Sequence, residues 1–232
     1  MESTKEVYMN LREISSQIET KLSEIFSEEL TSGLAAREDS RAFGAMVEKK
    51  IADNWEQICA DLGHSPLERP GRRSIFDFAL QSNGKIIGLD VKTKDLDSTR
   101  YSDGGICAVG NLLKFLANDD GIFLLAEFGH NKLSNQREKR DIVYIRVVPF
   151  TLLPRDAYRI ENLGTGQVRL NYTVDQVWEE IDWSRDVTNF YDLFIDLATQ
   201  HYRRVSSDAL NRIAALEAFR KNGYKDFSFN RR

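Results

Sequence analysis

Cysteine is scarce in this chain: Cys59 and Cys107 are the two in 232 residues. Both fall in apolar stretches, so buried free thiols and a reducing compartment are expected, and a disulfide-stapled scaffold is excluded. Histidine is nearly as rare. His64, His130 and His201 follow neither metal-ligand nor catalytic-triad spacing, which argues against zinc and serine-hydrolase chemistry. No apolar run approaches membrane-spanning length, and the N-terminus lacks the basic-then-apolar pattern of a secretory signal. A cytoplasmic protein with no membrane partner is therefore expected. There is no excess charge of one sign either. The net charge of −4 disfavours a protein that coats nucleic acid by bulk attraction. Internal repeats and low-complexity segments are missing.

What is present is an ordinary globular balance, with 41% hydrophobic and 29% charged residues, enough to bury a core. The charges are unevenly placed. Residues 1–61 hold 13 acidic against 7 basic side chains, and residues 201–232 hold 8 basic against 3 acidic. A basic end on an acidic chain suits phosphate contact or a solvated helix face.

The first thirty residues read as an amphipathic helix, because Val7, Leu11, Ile14, Ile18, Leu22 and Ile25 recur at steps of four and three. Gly33 is placed to end it. So narrow a stripe needs a partner, either the helix's own domain or a second subunit. A second helix is expected over about Arg41–Leu62, capped by Ser40 or Asp39. Its apolar face is Phe43, Val47, Ile51, Trp55, Ile58 and Leu62, with Glu48 on its shoulder. Gly63–Arg73 reads as an exposed basic loop. Strands are expected over Ser74–Gln81 and Lys85–Thr93, joined by a Ser82-Asn83-Gly84 hairpin turn. After a polar loop at Lys94–Gly105 come a helix near Ile106–Asn118 and strands at Gly121–Phe128 and Asp141–Phe150, separated by a basic, amide-rich loop at Gly129–Arg140. Short strands near Tyr158–Asn162 and Val168–Tyr172 and a helical tail from Tyr191 to Lys221 complete the reading. This order indicates an α/β or α+β sheet covered by helices.

The chemistry-bearing stretch is Ser74-Ile75-Phe76-Asp77-Phe78, the hairpin turn, and Gly88-Leu89-Asp90-Val91-Lys92-Thr93. Side chains two apart on a strand share a face, so Asp90 and Lys92 point the same way, and the hairpin brings Asp77 alongside. Adjacent carboxylates repel, and burial makes this worse. A hard divalent cation such as Mg²⁺ relieves the repulsion using one or two carboxylates, waters and phosphate oxygens. A neighbouring lysine can then position a water for attack on phosphorus. A lone Asp-x-Lys is expected about once by chance in such a chain. The apolar strand, the second Asp and Glu48 on the upstream helix distinguish this one.

In these residues the chain resembles the PD-(D/E)XK nuclease superfamily, and within it the type II restriction endonucleases of the EcoRV and HincII group. Gly88-Leu89-Asp90-Val91-Lys92-Thr93-Lys94 is similar to that group's catalytic strand. Phe43-Gly44-Ala45-Met46-Val47-Glu48-Lys49-Lys50-Ile51 is similar to the helix that supplies its accessory glutamate. The resemblance spans about residues 40–130. It implies an α/β, restriction-endonuclease-like fold: a central mixed β-sheet flanked by α-helices. It implies one nuclease domain over residues 1–232, with an N-terminal helix in 1–35 available for dimerisation, a catalytic core in 40–150 and a helical, DNA-gripping part in 151–232.

By the same resemblance, Asp77, Asp90 and the Val91 carbonyl would bind Mg²⁺, Lys92 would orient or activate the water, and Glu48 would act on the metal or its waters. Phe76 departs from the pattern by standing where a proline usually precedes the first Asp. The implied activity is site-specific cleavage of double-stranded DNA to 5′-phosphate ends, by a homodimer on a palindrome within a restriction-modification system. Lys94, Ser98, Thr99, Arg100 and Tyr101 fall where family members place DNA-contacting loops. Asn131, Asn135, Gln136, Arg137 and Arg140 carry amide and guanidinium groups suited to bases, or form a solvated connector. The rival expectations are a repair or recombination nuclease of the same superfamily, a non-catalytic DNA-binding protein on the same fold, and an unrelated α/β protein with an acidic surface hairpin.

Overall fold

The structure is a computed structural model that describes residues 4–28, 34–35, 40–68, 74–98, 105–118, 121–133, 136–161 and 166–221. Two long helices come first, α1 (Thr4–Ile25) and α2 (Ser40–Asp61). The strands are β1 (Leu34–Ala35), β2 (Ser65–Pro66), β3 (Phe78–Ser82), β4 (Lys85–Asp95), β5 (Gly105–Ala108), β6 (Ile122–Leu133), β7 (Gln136–Pro149), β8 (Tyr158–Glu161) and β9 (Gln167–Leu170). A short helix α3 (Val109–Leu113), continued by a wider turn at Lys114–Asn118, links β5 to β6. The last element is the long helix α4 (Val187–Lys221).

The chain is α/β, with a mixed central sheet in the order β1-β7-β6-β4-β3-β2 and a smaller sheet in the order β5-β9-β8. All central pairings are antiparallel except β4 with β6. A parallel pair needs a crossover, and the segment from β5 through α3 supplies it. The hairpin between β3 and β4 turns on Asn83 and Gly84, both at positive φ (49° and 80°), as the Asn-Gly dipeptide demands.

Alternation along the strands separates two cores. Ile87, Leu89 and Val91 of β4 face α1 and α2, packing with Ile18, Leu22, Val47 and Ile51. The Trp55 indole nitrogen donates to the Ala79 carbonyl at 3.1 Å, which ties α2 to β3. The opposite face packs on α3, the small sheet and the first part of α4, through rings that include Phe123, Phe150, Tyr158, Phe190 and Phe194. From Leu11 to Leu22 the apolar stripe of α1 packs within its own domain: Leu11, Ile14, Ile18 and Leu22 are all buried.

Two expectations are corrected. The helix expected from Ile106 begins as strand β5, because Gly105–Ala108 pairs with β9, and its helical part starts at Val109. The connector expected at Gly129–Arg140 belongs mostly to β6 and β7. The two strands continue well past the point where the apolar alternation stops, with His130 opposite Ile142 and Lys132 opposite Arg140. Backbone pairing and a buried polar cluster carry the ladder there in place of apolar side chains. No helix among the described residues is long and apolar enough to cross a membrane.

Candidate functional site

Gly88, Asp90 and Lys92 occupy the β4 face away from α1 and α2. Gly88 has no side chain, so the Phe76 ring lies directly on the strand; a Cβ there would sit 2.4 Å from a ring carbon. Phe76 also packs on Phe115, with ring centroids 5.2 Å apart. The residue that departs from the superfamily pattern therefore clamps the segment carrying Asp77 onto the sheet.

The β3–β4 ladder ends with Phe78 opposite Leu89. Beyond it the Asp77 amide donates to the Leu89 carbonyl at 3.0 Å, and the Asp77 Oδ2 accepts the Val91 amide at 2.8 Å. A side-chain oxygen thus takes the place of the next backbone acceptor, which fixes the Asp77 carboxylate beside β4. Asp90 is 4% exposed. Its two carboxylate oxygens lie 2.9 and 2.8 Å from the Lys92 Nζ. Burial pushes the Asp90 carboxyl up to about 7, the Lys92 ammonium opposes that shift, and the Asp77 carboxylate beside it adds to it. The structure therefore brings Asp77, Asp90 and Lys92 together on one side of the sheet.

Two further groups line this side. Cys107 on β5 is buried, and its thiol is pushed up to about 12 by burial and by the Asp90 charge. Glu127 on β6 is the register partner of Lys92 and is 2% exposed. Its Oε1 accepts the Tyr144 hydroxyl at 2.9 Å and the Val174 amide at 2.7 Å. Burial holds its carboxyl up near 7 against these bonds and the Lys94 charge. Neither residue was among the sequence candidates. The available signal was Glu127 itself, the sole charge within the apolar run from Ile122 to Phe128.

Glu48 is half-buried on α2. That helix crosses β4 at Gly44, where a Cβ would sit 3.3 Å from the Thr93 hydroxyl, and runs on toward Trp55 over β3. Glu48 thus lies between those two contacts, in the layer opposite to that of Asp90 and Lys92.

The expected contact residues divide. Lys94 shares the face of Asp90 and Lys92. Ser98 is half-buried, its amide donating to the Asp95 carbonyl at 3.2 Å. Thr99, Arg100, Tyr101 and Asn135 lie outside the described residues, as do the side chains of Gln136 and Arg137 in β7. Asn131 is half-buried in β6. Arg140 is corrected: it is 2% exposed and donates to Asp95 at 2.9 Å and to the His130 Nδ1 at 3.1 Å. Its guanidinium is spent inside the protein and does not face a ligand.

Asp77 and Asp90 form a hard-oxygen donor pair; burial first, and the Asp77 charge after it, hold the Asp90 carboxyl high, a penalty that a divalent cation would relieve, so the residues present fit one. Among the described residues, no group of three or more His, Cys, Asp or Glu side chains is placed to hold a metal. No family model matches the chain, and no curated protein matches it in sequence.

Proposed function

We propose that this chain is a Mg²⁺-dependent, sequence-specific endonuclease of double-stranded DNA, a type II restriction enzyme of the PD-(D/E)XK kind with a restriction-endonuclease-like fold. The observation that carries the reading is the convergence of Asp77 and Asp90 with Lys92 bonded to the buried carboxylate. The mixed sheet, with β4 parallel to β6 and helices on both faces, supports it.

In this reading Asp77 and Asp90 hold Mg²⁺, with the Val91 carbonyl as a further oxygen. The cation, when bound, neutralises charge that develops on the phosphate. Lys92 favours the ionised form of Asp90 against its burial before cation and DNA arrive. It then turns its ammonium to a phosphate oxygen and to the water that attacks phosphorus, as the P–O3′ bond breaks to leave a 5′-phosphate and a 3′-hydroxyl. Phe76 and Gly88 hold Asp77 in register, and Cys107 and Glu127 line the site. Glu48, the accessory acid implied by the resemblance, lies in the opposite α2 layer and takes no part in this reading; Lys94 with the segment from Ser98 to Tyr101 approaches the DNA backbone. A homodimer on a palindromic site in the cytoplasm completes the proposal.

Digestion of a plasmid of known sequence tests it. With Mg²⁺ the protein yields discrete fragments bearing 5′-phosphates, chelation stops cleavage, and Asp90→Ala lowers the rate by about 10³-fold or more while DNA binding persists. Cleavage confined to branched or damaged DNA would mark a repair or recombination enzyme. Binding with no cleavage in any Mg²⁺ condition would refute the reading.

A further inference from the structure

Nine large hydrophobic side chains are exposed among the described residues, and seven of them lie on α4. The body of the protein releases this helix at its middle. His201 is buried, and Tyr202 lies over Gly166, where a Cβ would meet the Tyr202 hydroxyl at 2.8 Å. From Arg203 to Lys221 the described side chains are exposed, apart from the half-buried Val205 and Ala215. That stretch extends about 27 Å at 1.5 Å per residue. A helix with no tertiary contact is marginal in water, yet this one displays Leu210 at 64%, Ile213 at 52% and Leu216 at 51% exposure.

We propose that residues 203–217 of α4 are a homodimer interface, pairing antiparallel with the same segment of a second copy about a two-fold axis at Leu210. This deepens the dimer named above. The charge pattern points to a second copy. Residues three, four and seven positions from Leu210 share its face. Under the two-fold, Arg203 of each copy meets Glu217 of the other. Ser206 meets Ala214, Ser207 meets Ile213, and Leu210 meets itself. Opposite charges therefore close both ends of an apolar, small-residue centre that allows close approach. A parallel pairing would set Arg203 against Arg203. Arg203 and Glu217 balance on this face, which suits a like helix better than a phosphate backbone.

Sedimentation equilibrium of the full chain reads the assembly. Wild type sediments as a dimer at micromolar concentration. Leu210→Glu raises the dissociation constant by about 100-fold or more, because it sets two buried like charges together. Arg203→Glu and Glu217→Arg each weaken the dimer, and the double exchange restores it. Leu210→Cys forms an intermolecular disulfide on mild oxidation, since helices packed 8–10 Å apart bring facing Cα atoms to about 5 Å. Leu210 is exposed in the single chain, so unchanged circular dichroism separates lost pairing from lost folding.

A wild-type monomer, as expected if DNA or another protein covers this face, overturns the proposal. So does a dimer indifferent to Leu210→Glu. Cleavage is scored separately through Asp90→Ala: a dimer without nuclease activity refutes only the catalytic reading, and a monomeric nuclease refutes only the interface.

Discussion

Replacing Asp90 by Asn removes a carboxyl that the fold holds at about 7 in place of its ordinary 3.8. An acid held high is protonated in the folded chain under conditions where the unfolded chain has lost the proton. Its ionisation therefore costs nothing below the ordinary value and destabilises progressively as pH climbs from there through about 7. Linkage over that window puts the rise in cost between about pH 5.5 and about pH 8 at about 2 kcal/mol. In a domain of this size that is a loss of about 4–8 °C in melting midpoint. Asparagine cannot ionise, so the Asp90→Asn protein has the flatter profile, by about that margin. It also loses the Lys92 ion pair. That attraction exists only with the ionised carboxyl and is already contained in where Asp90 sits, so it adds no slope of its own. Scanning fluorimetry of chelated protein from about pH 5 to about pH 8.5 reads both profiles. Mg²⁺ should raise the wild-type midpoint most at the alkaline end and leave the variant nearly unmoved. Parallel profiles for the two proteins would refute the claim that Asp90 is ionised at a cost in a buried, like-charged setting.

Gly88→Ala places a methyl 2.4 Å from the Phe76 ring. Overpacking should cost about 1–3 kcal/mol and loosen Asp77 as well, read as a lower melting midpoint together with weaker Mg²⁺ stabilisation. Arg140→Met strands the Asp95 carboxylate and the His130 Nδ1, both of which it now satisfies; a loss of about 3 kcal/mol in urea titration is expected, and a smaller effect than Lys49→Met at the exposed ion pair with Asp53 would contradict the account.

The hairpin was legible because its signals are local. Asn83-Gly84 names the turn, and the alternation of Ile87, Leu89 and Val91 names the buried face, so the side shared by Asp90 and Lys92 follows from parity alone. Asp77 followed because an antiparallel register of known turn length brings it beside Asp90. The far half of the β6–β7 hairpin was not legible. Its inward residues include His130 and Arg140, which satisfy each other and Asp95 across the sheet, and side chains of that kind read as a solvated connector in sequence. Strand β5 was missed for a related reason: Ile106, Cys107 and Val109 have no clear period, and the choice was made by pairing with β9, some sixty positions away. Glu127 and Cys107 join the site only through sheet neighbours distant in sequence, so no local spacing could nominate them.

In the proposed reading Asp77 has two duties at once. Its oxygen finishes the hydrogen-bond ladder that its own strand leaves incomplete, so one atom set serves as both splice and grip. An ion drawn to that carboxylate pulls on the same peptide plane that carries Val91, between Asp90 and Lys92. Occupancy and the trueness of the strand edge are consequently one variable, and a chain that lost the acid would fray where the chemistry is assembled.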